Sequence, residues 1–186
     1  MIKLKNWKHF IECCKYYNHI IISGPQRSGT TYVAKELASE LEYQHVDEFK
    51  HGIARFDKML NFIKNKPKVI QAPALSHMLH KITKEKTLVV FMMRNNHDIC
   101  LSEDRIGWHD KHANAEFTKY KKSFPEKIER INDFKRSAPM KKWIWKRCQK
   151  KEMQIDYLEL PFEFISQSRG YVVKKERVNF KKKQTK

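Results

Sequence analysis

The sequence has 186 residues and sets 39 Lys plus Arg against 21 Asp plus Glu, a formal net charge of +18. Hydrophobic residues make up 40% and include 11 Phe, 7 Tyr and 4 Trp, which excludes a disordered chain despite the 32% of charged residues. A folded, basic chain of one domain's length is left, and its charge asks for an anionic partner.

No apolar run approaches the roughly 18 to 20 residues of a membrane span. The N-terminus, beginning Met1-Ile2-Lys3-Leu4, lacks the apolar stretch and cleavage site of a secretory signal, so an intracellular setting is expected. Cys13, Cys14, Cys100 and Cys148 form no CxxC pair, in keeping with free thiols in a reducing compartment.

In chain order, Leu4, Trp7, Phe10, Ile11 and Cys14 have near-helical spacing and predict an amphipathic helix over 4–17. The β-branched run His19 to Ser23 predicts a strand stopped by Gly24-Pro25. Thr31 to Leu41 then reads as a helix with Val33, Ala34, Leu37, Ala38 and Leu41 on one face. Tyr43 to Val46 is a short strand ending at Asp47-Glu48, a helix follows over 56–63, and Lys68 to Gln71 is a strand stopped by Pro73. Thr87 to Met93 is an unbroken apolar-compatible run, suited to a parallel strand covered on both faces.

Helices are expected from Asp98 to Arg105 and from Pro125 to Phe134, within a segment 107–150 dense in Lys, His and Trp that reads as an excursion above the sheet. Met153 to Leu160 is a last strand, and Pro161 to Gln167 a short helix. Residues 1–173 thus form one expected domain and 174–186 a basic tail with seven cations and one anion. The succession βαβαβαβ predicts an α/β fold, a three-layer αβα sandwich with a mostly parallel sheet.

The strongest local signal is Gly24-Pro25-Gln26-Arg27-Ser28-Gly29-Thr30-Thr31, between a predicted strand and a predicted helix. Such a turn presents backbone N–H groups and the positive end of a helix to a phosphate. It nearly matches the Walker A pattern GxxxxGK[ST], with Gly24, Gly29 and Thr31 in place and Thr30 where lysine belongs. The available cation is Arg27, inside the loop. The run Arg27 to Thr31 resembles the 5′-phosphosulfate loop of the sulfotransferase superfamily, commonly K/R-S-G-T-T.

After the buried strand, Arg94-Asn95-Asn96-His97-Asp98-Ile99-Cys100-Leu101-Ser102 is similar to the superfamily's R-[ND]-P-x-D-x-x-x-S, keeping the arginine-to-serine spacing of eight with Asn96 in place of proline. The resemblance covers mainly residues 19–48 and 87–108, with an echo of Y-E-D-L at Tyr157 to Leu160. It implies a P-loop type fold. It further implies 3′-phosphoadenosine 5′-phosphosulfate as donor, with Arg27 against the departing sulfuryl group. Ser28, Gly29, Thr30 and Thr31 would then hold the 5′-phosphate and Arg94 and Ser102 the 3′-phosphate, with Gly24 and Gln26 also among the donor-binding residues.

Transfer to a hydroxyl needs a base at a strand's C-terminal end, and Asp47 and Glu48 stand there. Glycosaminoglycan-type sulfotransferases carry a glutamate at a similar distance, so the resemblance prefers Glu48, with Asp47 second. A helix cap or a solvated pair is the alternative. Gln71 occupies the place of the histidine base that other members carry. No histidine cluster has zinc-ligand spacing, His109, Asp110 and His112 being the nearest approach, so no metal is assigned.

The strip from Trp108 to Lys151 interleaves Phe117, Tyr120, Phe124, Trp143 and Trp145 with cations. It reads either as a stacking groove for nucleic acid or, slightly preferred, as helices with aromatics in the core. The leading functional reading is a sulfotransferase-like enzyme acting on a hydroxyl or amine, with a nucleotide donor and an anionic acceptor or nucleic acid as partners. The alternative is a P-loop kinase using ATP with magnesium on a nucleotide or nucleic acid. A third reading is a non-catalytic nucleic-acid-binding protein.

Overall fold

The computed structural model describes residues 4–64, 66–108 and 111–169, without the side chains of 111–113, 168 and 169. The sheet is built around β1, His19–Ser23, whose five residues are all buried. It is joined by β2 (Gln44–Val46), β3 (Lys68–Gln71), β4 (Thr87–Met93) and β5 (Asp156–Pro161) in the order β2-β3-β1-β4-β5. All four pairings are parallel, with Ile21 opposite Ile70 on one side and Val89 on the other.

Both faces of the central strands are covered, which is why they read as continuous apolar runs rather than alternating ones. On one face Ile20, Ile22, Val69, Val90 and Met92 meet α1 (Trp7–Cys14), α2 (Thr30–Leu41) and α9 (Phe162–Arg169). On the other, Ile21, Ile70, Val89 and Phe91 meet Ile53, Met59, Leu75 and Trp145, with Met59 on α3 (Phe56–Phe62). This is a three-layer αβα sandwich, and its sheet is parallel throughout. Each large side chain so buried contributes about 1.5–3 kcal/mol.

α1 is shorter than the expected span because Asn6 caps it, its side-chain oxygen accepting from the His9 N–H at 2.9 Å. Its buried residues are Trp7, Phe10, Ile11 and Cys14, the i, i+3, i+4, i+7 stripe. α4 (Asn96–Asp104) follows β4, with Asn95 capping the His97 N–H at 2.8 Å. Asn96 therefore occupies the first helical position, where a proline would also be accommodated.

The basic excursion comprises α5 (Lys111–Ser123), α6 (Ile128–Asn132), α7 (Ser137–Ile144), a π turn over Trp145–Gln149 and α8 (Lys150–Glu152). The helix expected over 125–134 opens instead as a 3-10 turn, Pro125–Lys127, since proline starts a turn but cannot extend one backwards. Its aromatics are core: Tyr120 and Phe124 pack with Ile131, Met140 and Ile144. Trp145 stacks on Phe91, ring centroids 4.4 Å apart and planes 7° from parallel. The stacking groove for bases is thereby corrected at Tyr120, Phe124 and Trp145, whose rings have no free face. His109, Asp110 and the tail 174–186 lie outside the described residues. Among those described, no helix is long and apolar enough to cross a membrane.

The connection leaving β1 runs toward β2, while the one leaving β4 runs toward β5 on the opposite side. Such divergence opens a crevice beyond the C-terminal ends of the two strands. The loop Gly24 to Thr31 and the segment Arg94 to Ser102 emerge from those two ends.

Candidate functional site

The loop is shaped by its own side chains. Ser28 is fully buried and donates through Oγ to the Pro25 carbonyl at 2.6 Å, while its N–H reaches the same oxygen at 3.2 Å. Its hydroxyl therefore points into the protein, where it braces the turn, and not outward as a ligand. Gly24 has φ +133°, and a Cβ there would stand 2.8 Å from the Met92 carbonyl oxygen. Gly29, the residue before α2, has φ +94°, and its Cβ would stand 2.8 Å from Cδ2 of Phe162. Both positions need glycine because the loop lies flat on β4 and α9. α2 then begins at Thr30 with no side-chain cap from Gly29, and its first-turn N–H groups have no intrahelical acceptors.

The two separated arginines meet at this loop. Arg27, at φ +65°, donates from Nε to the Ser102 hydroxyl at 3.0 Å. Arg94 donates from Nη1 to the Arg27 carbonyl at 2.9 Å and lies over the Phe162 ring, 4.6 Å from its centroid. Enclosed Nε of Arg94 has no protein partner among the described residues. Lys142 adds a third cation from α7: its Nζ donates to the Arg94 carbonyl and, at 2.7 Å, to Oδ1 of Asn96. Burial lowers the pKa of that ammonium, with neighbouring Lys146 acting in the same direction. Three cationic side chains and a helix N-terminus thus gather around one turn, an electrostatic setting that favours negative charge.

Thr31 is exposed at the start of α2, and its Oγ1 accepts from Nε2 of Gln71 at 2.9 Å. Gln71, at the end of β3, is 3% exposed, and its Oε1 has no partner among the described residues. The strand ends flanking the loop thus present Gln71 and Arg94, neither of them a carboxylate. No group of three His, Cys, Asp or Glu among the described residues could hold a metal ion.

Asp47 and Glu48 part company. Asp47 Oδ1 accepts from the N–H groups of Phe49 and Lys50, both at 3.0 Å, so it caps the turn that follows β2. Glu48 turns inward, 3% exposed, with Oε1 accepting from the Ala74 N–H at 2.8 Å. Burial pushes its carboxyl up to about 7, against the opposing pull of that N–H and of Lys141. Glu48 and the loop residue Gln26 line one open cavity of about 290 Å³, to which Trp108, α5 and α7 also contribute side chains.

Lys141 joins the roof to the loop. Its side chain is wholly buried, its Nζ is 2.8 Å from Oε2 of Glu116, and it also donates to Oε1 of Gln26. Beside this pair His77 is buried against the Tyr120 ring at 5.3 Å, and desolvation pushes its pKa down to about 4. Neither Lys141 nor Glu116 stood out in the sequence, because one lysine among many in a basic strip carries no local mark. The i, i+1 pair Lys141-Lys142 reaches two different sites, Lys141 toward the cavity and Lys142 toward Arg94.

No family model matches the sequence, and no curated protein does. Among solved structures, shikimate kinase from Acinetobacter baumannii in complex with shikimate resembles the chain with a TM-score of 0.48 at 15% identity, covering 81% of this chain and 87% of that one. An uncharacterized protein from Eubacterium ventriosum gives a TM-score of 0.42 at 14% identity, covering 80% and 93%. At these identities no side chain of the site is carried over from either.

Proposed function

We propose that the protein is a nucleotide-dependent group transferase, with the donor's phosphates on the loop Gly24 to Thr31 and the acceptor in the cavity beside Glu48. The observation that carries this reading is the meeting of Arg27, Arg94 and Ser102 at a glycine loop that shares its cavity with a buried carboxyl. In the transfer, the acceptor oxygen attacks the transferred group and the bond to the donor's bridging oxygen breaks. The acceptor proton passes to the Glu48 carboxylate, and the charge left on the donor is met by Arg27 and Arg94. A base whose pKa lies near 7 suits that step at neutral pH. Gln26, Ser28 and Gly29 shape the loop, Thr30 and Thr31 offer N–H groups, and Asp47 holds the turn that places Glu48.

The first form of this reading is phosphoryl transfer from ATP with magnesium. It is supported by the parallel α/β fold and by the GxxxxGxT spacing that puts the Thr31 hydroxyl at the loop's helical end, where it could help to hold magnesium, which would neutralise phosphate charge. Arg27 and Arg94 would then supply the charge that the missing lysine supplies elsewhere. The second form is sulfuryl transfer from 3′-phosphoadenosine 5′-phosphosulfate. It is favoured by Arg94 and Ser102, which would give a second phosphate a place that ATP leaves empty.

Thermal stabilisation separates the two. A ligand at 100 times its dissociation constant adds about 2.7 kcal/mol. ADP or ATP stabilising only with magnesium supports the kinase form, and adenosine 3′,5′-bisphosphate stabilising more, without metal, supports the sulfuryl form. No stabilisation by any of them would overturn the transferase reading.

A further inference from the structure

The cavity beside the loop has walls of the opposite sign to the chain. Among the described residues its charged lining is Glu48, Glu103 and Glu116 against Lys119 alone, in a chain where cations outnumber anions 39 to 21. Two of those carboxylates are balanced from behind: Arg136 Nη2 lies 3.0 Å from Oε2 of Glu103, and Lys141 Nζ lies 2.8 Å from Oε2 of Glu116. Neither cation lines the cavity itself. The wall therefore offers carboxylate oxygens as hydrogen-bond acceptors without a large net charge, which suits donors such as hydroxyl groups.

Two aromatic rings complete it. Phe49 and Trp108 both line the cavity, and Phe49 is 78% exposed, so its ring is accessible from the solvent side. The volume of about 290 Å³ equals that of about ten waters at ~30 Å³ each, which is the room of a single six-membered ring with its substituents.

We infer that the cavity binds a small uncharged polyhydroxylated ring compound, a cyclitol or single hexose in size, and that polyanions are excluded from it despite the charge of +18. Hydroxyl groups donate to Glu48, Glu103 and Glu116, and the ring's C–H face lies on Phe49 or Trp108. A phosphate or a nucleic-acid backbone brought to the same place meets mainly carboxylate oxygens, so that acceptors face acceptors and its own oxygens gain few hydrogen bonds. That the bound compound is the acceptor rests on the group-transfer reading; that it binds does not.

The test is titration calorimetry on the full chain without donor, using myo-inositol and methyl β-glucoside as neutral probes, their phosphate monoesters, and a short single-stranded oligonucleotide. At least one neutral probe binds saturably, its phosphate monoester binds about tenfold more weakly or worse, and the oligonucleotide does not displace it. Phe49→Ala weakens the neutral probe about tenfold while ADP or adenosine 3′,5′-bisphosphate titrates as before. The inference is overturned if neither neutral probe binds, if a monoester binds more tightly than its parent, or if the oligonucleotide competes. Neutral binding without any transfer would keep this inference and sink the transferase reading. Transfer to an anionic acceptor in the same cavity would do the reverse.

Discussion

Nη1 of Arg94 donates to the carbonyl oxygen of Arg27 at 2.9 Å, so the cation at the end of β4 holds the backbone of the glycine loop that leaves β1. The contact makes Arg94 a prop for the loop's left-handed residue, Arg27 at φ +65°, in addition to the donor-binding role proposed for it. Arg94→Ala should weaken nucleotide binding about 10- to 100-fold, the value of a hydrogen bond to a charged group at about 1.5–3 kcal/mol. Arg94→Lys should recover little, since an ammonium cannot reach the loop carbonyl, lie over Phe162 and meet a phosphate at once. Calorimetric titration with ADP and with adenosine 3′,5′-bisphosphate reads both variants. Wild-type affinity in Arg94→Ala for both nucleotides would remove this residue from the donor site.

Gly29 carries two demands that substitution can separate. Its φ of +94° is strained for any side chain, and its Cβ would stand 2.8 Å from the Phe162 ring. Gly52 has φ +59° and open space around its Cβ, so Gly52→Ala should cost only the backbone term, about 1 kcal/mol. Gly29→Ala should cost about 2 kcal/mol or more beyond that, and the added Phe162→Ala should relieve part of it. Urea denaturation of these three variants and of Phe162→Ala alone gives the comparison. Equal losses for Gly29→Ala and Gly52→Ala would mean that Phe162 yields without cost.

The strands around this loop were legible because burial on both faces leaves an apolar run with nothing to interrupt it, as in Thr87 to Met93. The loop was legible because Gly24 and Gly29 stand at a spacing that only close backbone approach requires. Asp47 and Glu48 could not be told apart in sequence: both are acidic and adjacent, and the direction of a turn decides which one enters the cavity. The aromatic strip was ambiguous for the same reason, since Trp145 reveals its role only through Phe91, more than fifty residues away. Lys141 and Glu116 were invisible, because a buried ion pair is a tertiary fact that basic composition conceals.

That ion pair sets up a third expectation. Lys141 is wholly buried, and Lys141→Met leaves the Glu116 carboxylate uncompensated at 9% side-chain exposure. Breaking a buried pair from one side costs about 3–5 kcal/mol, whereas replacing both partners by neutral groups often restores much of the loss. The double variant Lys141→Met, Glu116→Gln should therefore be more stable than Lys141→Met alone, with a coupling energy of about 1–3 kcal/mol in a double-mutant cycle. Nucleotide binding should weaken in the single variant as well, because Lys141 also holds Gln26 of the loop. Additive single losses would show that the pair is not coupled.

Glu48, in the cavity wall, and His77, buried beside the Lys141–Glu116 pair, oppose each other across the same pH range. Glu48 has its pKa pushed up to about 7 from 4.5 by burial, so between those values the folded state holds a proton that the unfolded state has lost. Its contribution to stability falls as pH rises through that window. His77 has its pKa pushed down to about 4 from 6.5, also by burial, so there the unfolded state binds the extra proton and stability falls as pH drops. Each effect is worth about 3 kcal/mol in full, at 1.36 kcal/mol per pKa unit. Over the shared range of about pH 4.5 to 6.5 the slopes cancel, and as far as these two groups go the wild-type protein has a flat stability profile. Glu48→Gln should expose the histidine, giving stability that rises with pH from about 4 to 6.5. His77→Gln should expose the glutamate, giving stability that falls from about 4.5 to 7. Urea melts at several pH values read the slopes, and superimposable profiles for the wild type and Glu48→Gln would show that Glu48 titrates alike in both states. As the base, Glu48 must be ionised to act, so turnover in the wild type should rise with pH through about 7. In Glu48→Gln that limb should vanish and the rate fall by about 10² to 10⁴ while nucleotide affinity stays unchanged. A variant with the wild-type rate and the wild-type pH limb would take the base role away from Glu48.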